Sequence, residues 1–216
     1  KINMIFITGC SGFIGGSLAY FLSRKGIEIR ELGRENFNYD EYKNLNDNIL
    51  VHCAWSGVLG KDRNDKIQAE NINLTKRLLN LINYLNINKV IAFGSQAEYG
   101  PINKRVSEID VCSPSTNYGK TKLECMELFK DNLCASEKEF IWLRLFDTYG
   151  PKDNPAWFIP YVIRSALKNE STKLTECSQV WDYIYILDLC HCIEKIIFNQ
   201  KINSGIYNLS SDKQIT

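Results

Sequence analysis

Residues 7–22 read ITGCSGFIGGSLAYFL, and this stretch decides the fold. A strand-length apolar run ends in it, an amphipathic helical pattern begins in it, and Gly9, Gly12 and Gly15 lie between the two. Because glycine has no Cβ atom, the backbone there can approach a pyrophosphate closely, and the unpaired amides of a helix N-terminus favour the negative charge. A glycine triplet alone is weak evidence, but a strand before it and a helix after it are the required context. The stretch therefore predicts dinucleotide binding, against the alternative of an ordinary glycine-rich turn.

Strand-length apolar runs alternate with helical patterns along the chain. The runs are MIFIT (4–8), IEIREL (27–32), NILVHCAW (48–55), KVIAFGS (89–95) and FIWLRLF (140–146), and the clearest helices are predicted at 13–25, 66–86 and 117–134. The order strand, helix, strand implies a parallel sheet with right-handed crossovers. We therefore predict an α/β fold with a Rossmann-type doubly wound parallel sheet.

The pattern of predicted helices and strands changes after residue 150. Helical patterns at 156–169 and 188–200 alternate with short strand patterns, DYIYI (182–186) and GIYNLS (205–210). No Gly/Ser linker or repeat marks a boundary. We predict an NAD(P)-binding domain at 1–150 and a small, incomplete substrate-binding lobe at 151–216, truncated and partly interleaved with the first domain.

Composition and charge exclude several classes of protein. The 216 residues include 26 basic and 25 acidic side chains, a net charge of +1, so no nucleic-acid partner is expected. The first segment, KINMIFITG, is too short for a signal peptide or a membrane span. The eight cysteines are scattered without a CxxC pair, which favours free thiols in a reducing cytoplasm, and the CHC triplet at 190–192 cannot converge on a metal from one helix. We expect a cytoplasmic protein without a metal or membrane partner.

The end of the second strand bears on the choice of cofactor. In such folds an acidic side chain there accepts from the 2′-hydroxyl of NAD, whereas an arginine accommodates the 2′-phosphate of NADP. Here the strand is followed by GRE (33–35), in which Arg34 offers a planar, bidentate partner for phosphate. Glu31 could instead take the acidic role, so we predict NADP with NAD as the alternative.

Residues 117–122, NYGKTK, place Tyr118 and Lys122 one helical turn apart on the same face. For such a pair taken alone, a solvated surface position is the usual explanation. Beside a nicotinamide site, however, a neighbouring ammonium would favour ionisation of a phenol whose ordinary pKa is near 10. The central strand ends at Ser95, whose hydroxyl can help orient a substrate oxygen.

Several segments together resemble the extended short-chain dehydrogenase/reductase family, the NAD(P)-dependent nucleotide-sugar epimerases, dehydratases and reductases. The segments are TGCSGFIG (8–15), HCAW (52–55), NINLT (71–75), GSQAEYG (94–100), YGKTK (118–122), LRLFDTYGP (143–151) and WDYIYILD (181–188). The resemblance covers nearly the whole chain. It implies that Tyr118 is the catalytic acid/base, that Lys122 tunes it and binds the nicotinamide ribose, and that Ser95 is the second donor to the reacting oxygen.

The resemblance also implies the rest of the site. Residues expected at the cofactor are Gly9, Ser11, Gly12, Phe13, Ile14, Gly15, Arg34, Ala54, Asn71, Tyr118 and Lys122, and those expected at the substrate are Gln96, Asp147 and Trp181. Two positions depart from the family pattern. Asp147 stands where asparagine is usual, and Trp181 stands where many members have a diphosphate-binding arginine. Because tryptophan cannot pair with phosphate, the diphosphate must be held differently here.

The resemblance narrows the reaction. Dehydratases of the family follow the active-site Ser or Thr with an Asp-Glu pair, but Gln96 and Ala97 stand here, and Glu98 is expected to face the other side of an extended strand. We therefore predict an NADPH-dependent 4-ketoreductase for nucleotide-linked 4-keto-6-deoxyhexoses, serving deoxysugar and cell-surface polysaccharide synthesis. A nucleotide-sugar 4-epimerase using NAD is the alternative, and a cofactor-binding regulator with a silent site is a third. The family resemblance further implies a homodimer through two helices per subunit.

Overall fold

The computed structural model describes residues 2–33, 39–102 and 104–215. Its main element is a six-stranded parallel sheet in the order β2-β1-β3-β4-β5-β8. These strands are β1 (Ile5–Thr8), β2 (Ile29–Leu32), β3 (Asn48–His52), β4 (Ile87–Ser95), β5 (Glu139–Leu145) and β8 (Gly205–Leu209). A smaller sheet, in the order β6-β7-β9, contains β6 (Asp147–Tyr149), β7 (Trp181–Tyr185) and β9 (Gln214–Ile215).

Within the described residues, five α-helices connect the strands: α1 (Phe13–Arg24), α2 (Gln68–Tyr84), α3 (Asn117–Ala135), α4 (Phe158–Leu167) and α5 (Ile186–Phe198). Successive strand side chains point to opposite faces of the sheet, so two cores form. Ile5 and Ile7 pack with Leu18 of α1 and Ile193 of α5 on one face. Phe6 packs with residues of α2 and α3, including Ile82 and Phe129, on the other. This arrangement confirms the predicted α/β, doubly wound class.

The segment after residue 150 contributes to both sheets. Strand β8 lies beside β5, and α5 packs against α1, so these two elements complete the main sheet and its helical layer. Strands β7 and β9 pair antiparallel, and β7 pairs parallel with β6. The residues expected to form an interleaved substrate lobe thus extend from the main sheet to the small sheet.

The strand order reverses between β1 and β3. From β1 the chain moves outward to β2 and then returns to place β3 on the other side of β1. In open α/β sheets, ligands bind at such a switch point, outside the carboxyl ends of the strands.

Within the described residues no helix has both the length and the apolar character needed to cross a bilayer.

Candidate active site

A cavity of about 1170 Å³ opens at the carboxyl ends of β1, β3, β4 and β6. The glycine loop lies along one wall, and Ser95, Tyr118 and Lys122 lie along another. The small sheet and the start of α4 complete it with Asp147 and Trp181. Many of the sequence-predicted residues, from five different segments of the chain, therefore meet in one cavity.

The glycine loop fits a closely bound anion. Gly9 has a φ of +76°, and a Cβ atom there would lie 2.7 Å from the backbone nitrogen of Ala54. A Cβ atom at Gly15 would lie 2.3 Å from the carbonyl oxygen of Gly9. Helix α1 begins at Phe13 without a side-chain cap and without an acidic residue in its first turn. Its first amides therefore suit the pyrophosphate of a dinucleotide, which would lie on Gly9, Gly12, Phe13, Ile14 and Gly15.

Lys122 lies deep in the site. Its Nζ atom donates a 2.7 Å hydrogen bond to the carbonyl oxygen of Phe93 and lies 3.5 Å from the centroid of the Trp55 ring. Burial lowers the pKa of Lys122 to about 7, although the nearby carboxylate of Glu98 acts in the opposite direction.

Tyr118 lies one turn before Lys122, near the capped start of α3, where Thr116 Oγ1 accepts from the backbone of Gly119. Burial raises the pKa of the Tyr118 phenol, whereas a hydrogen bond with Ser95 and the charge of Arg63 lower it. The carboxylates of Glu98 and Asp147 raise it further. Ser95, at the end of strand β4, and Tyr118, in the first turn of helix α3, therefore lie next to each other in the cavity.

The end of β4 is held by a buried carboxylate. Gln96–Glu98 form a 3₁₀ turn that Ser95 caps, and Glu98 accepts from the Ser95 backbone nitrogen at 2.8 Å. Glu98 is fully buried and pairs with Arg144 at 2.8 Å. The expectation that Glu98 lies on an extended strand is wrong, because the strand ends at Ser95 and the capping turn directs this carboxylate into the core.

On the substrate side, Gln96 donates a 2.8 Å hydrogen bond to Asp147. Burial raises the pKa of Asp147, and the hydrogen bond from Gln96 and the charge of Arg63 oppose this increase. Trp181, in β7, lies beside Tyr183 with ring centroids 6.4 Å apart. Both rings line the cavity and form an aromatic surface on its outer side.

Asn71 and Ala54, both predicted to bind the cofactor, make hydrogen bonds within the protein. Asn71 is buried in α2 and bonds both the backbone nitrogen and the backbone oxygen of Ser56, so it fixes the loop that follows β3. Ala54 donates its backbone N–H to Thr8 Oγ1 in that same region. Ser11 lies in the glycine loop next to Gly12. Arg34 lies outside the described residues.

Sequence reasoning did not single out two residues that border Tyr118. The Trp55 ring stands edge-on to the Tyr118 ring, with centroids 5.9 Å apart. The Arg63 guanidinium lies 5.0 Å from the centroid of the Tyr118 ring. Trp55 could have been noticed because it stands in HCAW, directly after a predicted strand. No signal in the sequence pointed to Arg63, which lies in an irregular loop far from Tyr118 along the chain.

His52 and the cysteines lie in positions that suit a structural role. His52 is buried, its Nδ1 atom lies 2.8 Å from Thr8 Oγ1, and burial lowers its pKa to about 3. All eight cysteines are free. Among the described residues, no group of three or more His, Cys, Asp or Glu side chains is arranged to hold a metal ion.

Known proteins resemble this chain over most of its length. The model of the NAD dependent epimerase/dehydratase family matches residues 5–210. The chain is 23% identical to a UDP-glucose 4-epimerase from Halalkalibacterium halodurans, over 97% of this chain and 75% of that protein. It is 27% identical to a GDP-6-deoxy-D-talose 4-dehydrogenase from Aggregatibacter actinomycetemcomitans, over 92% and 73% respectively. The chain spans between 60 and 75% of the length of the first curated relatives that it matches.

A solved structure shows the same fold. MoeE5 in complex with UDP-glucose and NAD superposes with a TM-score of 0.84 at 23% identity, covering 99% of this chain and 78% of that one.

Proposed function

The chain belongs to the NAD dependent epimerase/dehydratase family, and from this premise we propose that it is an NADPH-dependent 4-ketoreductase of nucleotide-linked 4-keto-6-deoxyhexoses. Such a reaction serves the synthesis of deoxysugars for cell-surface polysaccharides. The observation that carries the proposal is that Ser95 and Tyr118 lie side by side in the same cavity as Lys122 and the glycine loop.

This pair suits the polarisation of a carbonyl group. When bound, a nicotinamide cofactor supplies the hydride that reduces the sugar carbon. Ser95 and Tyr118 would both donate hydrogen bonds to the oxygen of that carbon, and Tyr118 would release its proton to the oxygen. Lys122, hydrogen-bonded to Phe93, fixes this part of α3 against β4 and would also bind a ribose hydroxyl.

The neighbourhood of Ser95 argues against dehydration. Elimination needs an acid and a base beside the reacting carbons, but the two residues after Ser95 are Gln96 and Ala97. The amide of Gln96 is bonded to Asp147, and Glu98 is buried in an ion pair with Arg144. Asp147 and Asp153 line the cavity, but neither directly follows Ser95, and Asp147 is held by the amide of Gln96.

The comparisons support chemistry at C4 of a nucleotide sugar. The relative named GDP-6-deoxy-D-talose 4-dehydrogenase acts at that position of a nucleotide-linked 6-deoxyhexose, and its oxidation is the reverse of ketone reduction. The resemblance to MoeE5 with UDP-glucose supports a nucleotide-sugar substrate. The aromatic surface of Trp181 and Tyr183 could pack against such a ligand.

A 4-epimerase that uses NAD is the second candidate, and Glu31 favours it. Burial, and then the charge of Glu31, raise the pKa of Cys10 in the glycine loop to about 11, so this carboxylate lies near the proposed cofactor site. A carboxylate there suits the 2′-hydroxyl of NAD. MoeE5 was solved with NAD, and a 4-epimerase is among the relatives.

Isotope transfer distinguishes the two reactions. Purified protein is incubated with 4-deuterated NADPH and a panel of nucleotide 4-keto-6-deoxysugars, and products are examined by NMR and mass spectrometry. A reductase consumes NADPH in proportion to product and transfers deuterium to C4. An epimerase, given a nucleotide sugar, keeps the substrate's own C4 hydrogen and consumes no cofactor. If the product keeps that hydrogen, the reductase proposal is wrong and the protein is a 4-epimerase.

Subunit assembly and location stay predictions. A homodimer through the outer faces of α2 and α3 is proposed because these two helices pack side by side on one face of the sheet. Light scattering of the purified protein measures the assembly. A cytoplasmic location is proposed from the free cysteines.

A further inference from the structure

The loop at residues 60–64, which we call the α3 clasp, is fastened to the start of helix α3. The backbone nitrogen of Tyr118 donates a 2.8 Å hydrogen bond to the carbonyl oxygen of Arg63. Asn64 accepts from the Asn117 backbone nitrogen at 3.0 Å, and Asn117 donates its side-chain amide to the Asn64 carbonyl at 3.1 Å. Backbone N–H groups in the first turn of a helix have no partner within the helix. The α3 clasp supplies partners for two of them, and one is that of Tyr118.

The Arg63 side chain then returns over Tyr118. Its guanidinium lies 5.0 Å from the ring centroid, and its Nε atom donates a long, 3.5 Å hydrogen bond to the Val58 carbonyl. No carboxylate among the described residues lies within 4 Å of this guanidinium, so its charge is not neutralised by an ion pair. Arg63 lines the cavity, and Tyr118 is adjacent both to its guanidinium and to the Trp55 ring.

Four charged side chains surround Tyr118. Lys122 lies on the same helix, Glu98 follows β4, Asp147 begins β6, and Arg63 stands in the α3 clasp. The two carboxylates oppose ionisation of the phenol. Lys122 is buried against Trp55 and points its ammonium to Phe93. Arg63 carries a guanidinium, a group that is permanently charged in proteins.

We propose that Arg63 is a positioning residue for the reaction of Tyr118: its backbone oxygen holds the start of α3, and its guanidinium supplies the permanent positive charge that stabilises the phenolate. This inference rests on the proposed function, because it assumes that Tyr118 exchanges the proton. It adds Arg63 to the role that the sequence analysis gave to Lys122 alone. A cation over a ring face also interacts with the ring quadrupole, and the attraction grows when the ring becomes an anion.

The test measures the ionisation of residue 118 directly and needs no substrate or cofactor. 3,5-Difluorotyrosine, whose phenol ionises near neutral pH, is incorporated at position 118, and its ¹⁹F chemical shift is followed against pH. The variants are Arg63→Gln, Arg63→Met and Arg63→Lys. Lys61→Gln is the matched control, because Lys61 is an exposed cation in the same α3 clasp. Arg63→Met keeps an aliphatic stem over the ring if the glutamine variant does not fold.

Removing the charge is expected to raise the pKa of the labelled phenol by roughly 0.5–1 pH unit in Arg63→Gln and Arg63→Met. Arg63→Lys and Lys61→Gln should stay close to the unsubstituted protein. Equal pKa values in all variants would overturn the inference. An equal increase in Arg63→Lys and Arg63→Gln would also overturn it, because packing rather than charge would then be responsible. Since no turnover is measured, loss of the proposed function in the isotope experiment is a separate result.

Discussion

Lys122 Nζ donates a 2.7 Å hydrogen bond to the carbonyl oxygen of Phe93, and this contact fastens helix α3 to strand β4 two residues before Ser95. Tyr118 lies one turn before Lys122 and Ser95 ends the strand. The bond therefore helps to hold Tyr118 and Ser95, which both line the cavity, in place relative to each other. Loss of the Lys122–Phe93 contact is expected to move Tyr118 away from Ser95.

Tyr118→Phe is expected to reduce turnover by roughly 10²–10⁴-fold, because the phenol donates the proton to the reacting oxygen. Cofactor affinity should stay near the wild-type value, since the ring remains in place. Steady-state rates and fluorescence titration with NADPH and NADH measure the two effects. Tyr20→Phe removes an exposed hydroxyl on α1 and serves as the control. Full activity of Tyr118→Phe would exclude the proposed mechanism.

Lys122→Met is expected to reduce both turnover and cofactor affinity, because the lysine supports Tyr118 and would bind the nicotinamide ribose. The same two assays measure it, with Lys120→Met, an exposed neighbour on α3, as the matched control. A variant that lost turnover but kept full cofactor affinity would remove the ribose contact from the proposal.

The stability of the protein should depend on pH through Lys122. Burial lowers the pKa of this amine to about 7 from an ordinary value of 10.5, so between these pH values the unfolded chain binds more protons than the folded chain. Lys122 by itself should therefore make the free energy of unfolding rise with pH across that window, against the opposite contribution of the buried thiols whose pKa values are raised, and the cost of burying its charge is fully present below pH 7. Urea unfolding at several pH values compares wild type, Lys122→Met and Lys120→Met. The rise should be weaker only in Lys122→Met, and equal slopes in all three would contradict the burial of a titrating amine.

Arg34→Ala is expected to weaken NADPH binding by about 1.5–3 kcal/mol and NADH binding far less, because a charge-assisted bond to the 2′-phosphate is removed. Isothermal titration with both cofactors measures the difference. Arg30→Ala is the control, since Arg30 lies in β2 and pairs with Glu41 at 3.7 Å. An equal loss for the two cofactors would assign the ribose to Glu31 and support the epimerase.

Glu98→Gln is expected to lower the free energy of unfolding by about 3–5 kcal/mol, because it leaves the buried Arg144 without its counter-ion. Urea unfolding measures the change. Adding Arg144→Met to the same chain should restore part of the stability, since no unpaired charge is then buried. Asp110→Asn, in the exposed pair with Lys104, should change stability far less. If the double variant were as unstable as the sum of the single ones, the two side chains would not be coupled.

The sequence by itself determined the fold class and the positions of most elements. Helices predicted at 13–25, 66–86 and 117–134 are observed at Phe13–Arg24, Gln68–Tyr84 and Asn117–Ala135. Periodicity of apolar residues and the glycine loop are local properties, and the backbone responds to them locally. The one-turn spacing of Tyr118 and Lys122 is a helical property of the same kind, so it too could be read from the chain.

Only the tertiary structure decided which distant side chains meet in the site. Glu98 was expected on an extended strand, but a 3₁₀ turn buries it against Arg144, 46 residues away, and Gln96 meets Asp147 across 51 residues. Arg63 reaches Tyr118 because the α3 clasp bonds to the first turn of α3. Contacts of this kind depend on how strands and loops are arranged in space, and spacing along the chain carries no information about that arrangement. The electrostatic environment of Tyr118 was therefore decided by folding, because burial and charge act through distance in space.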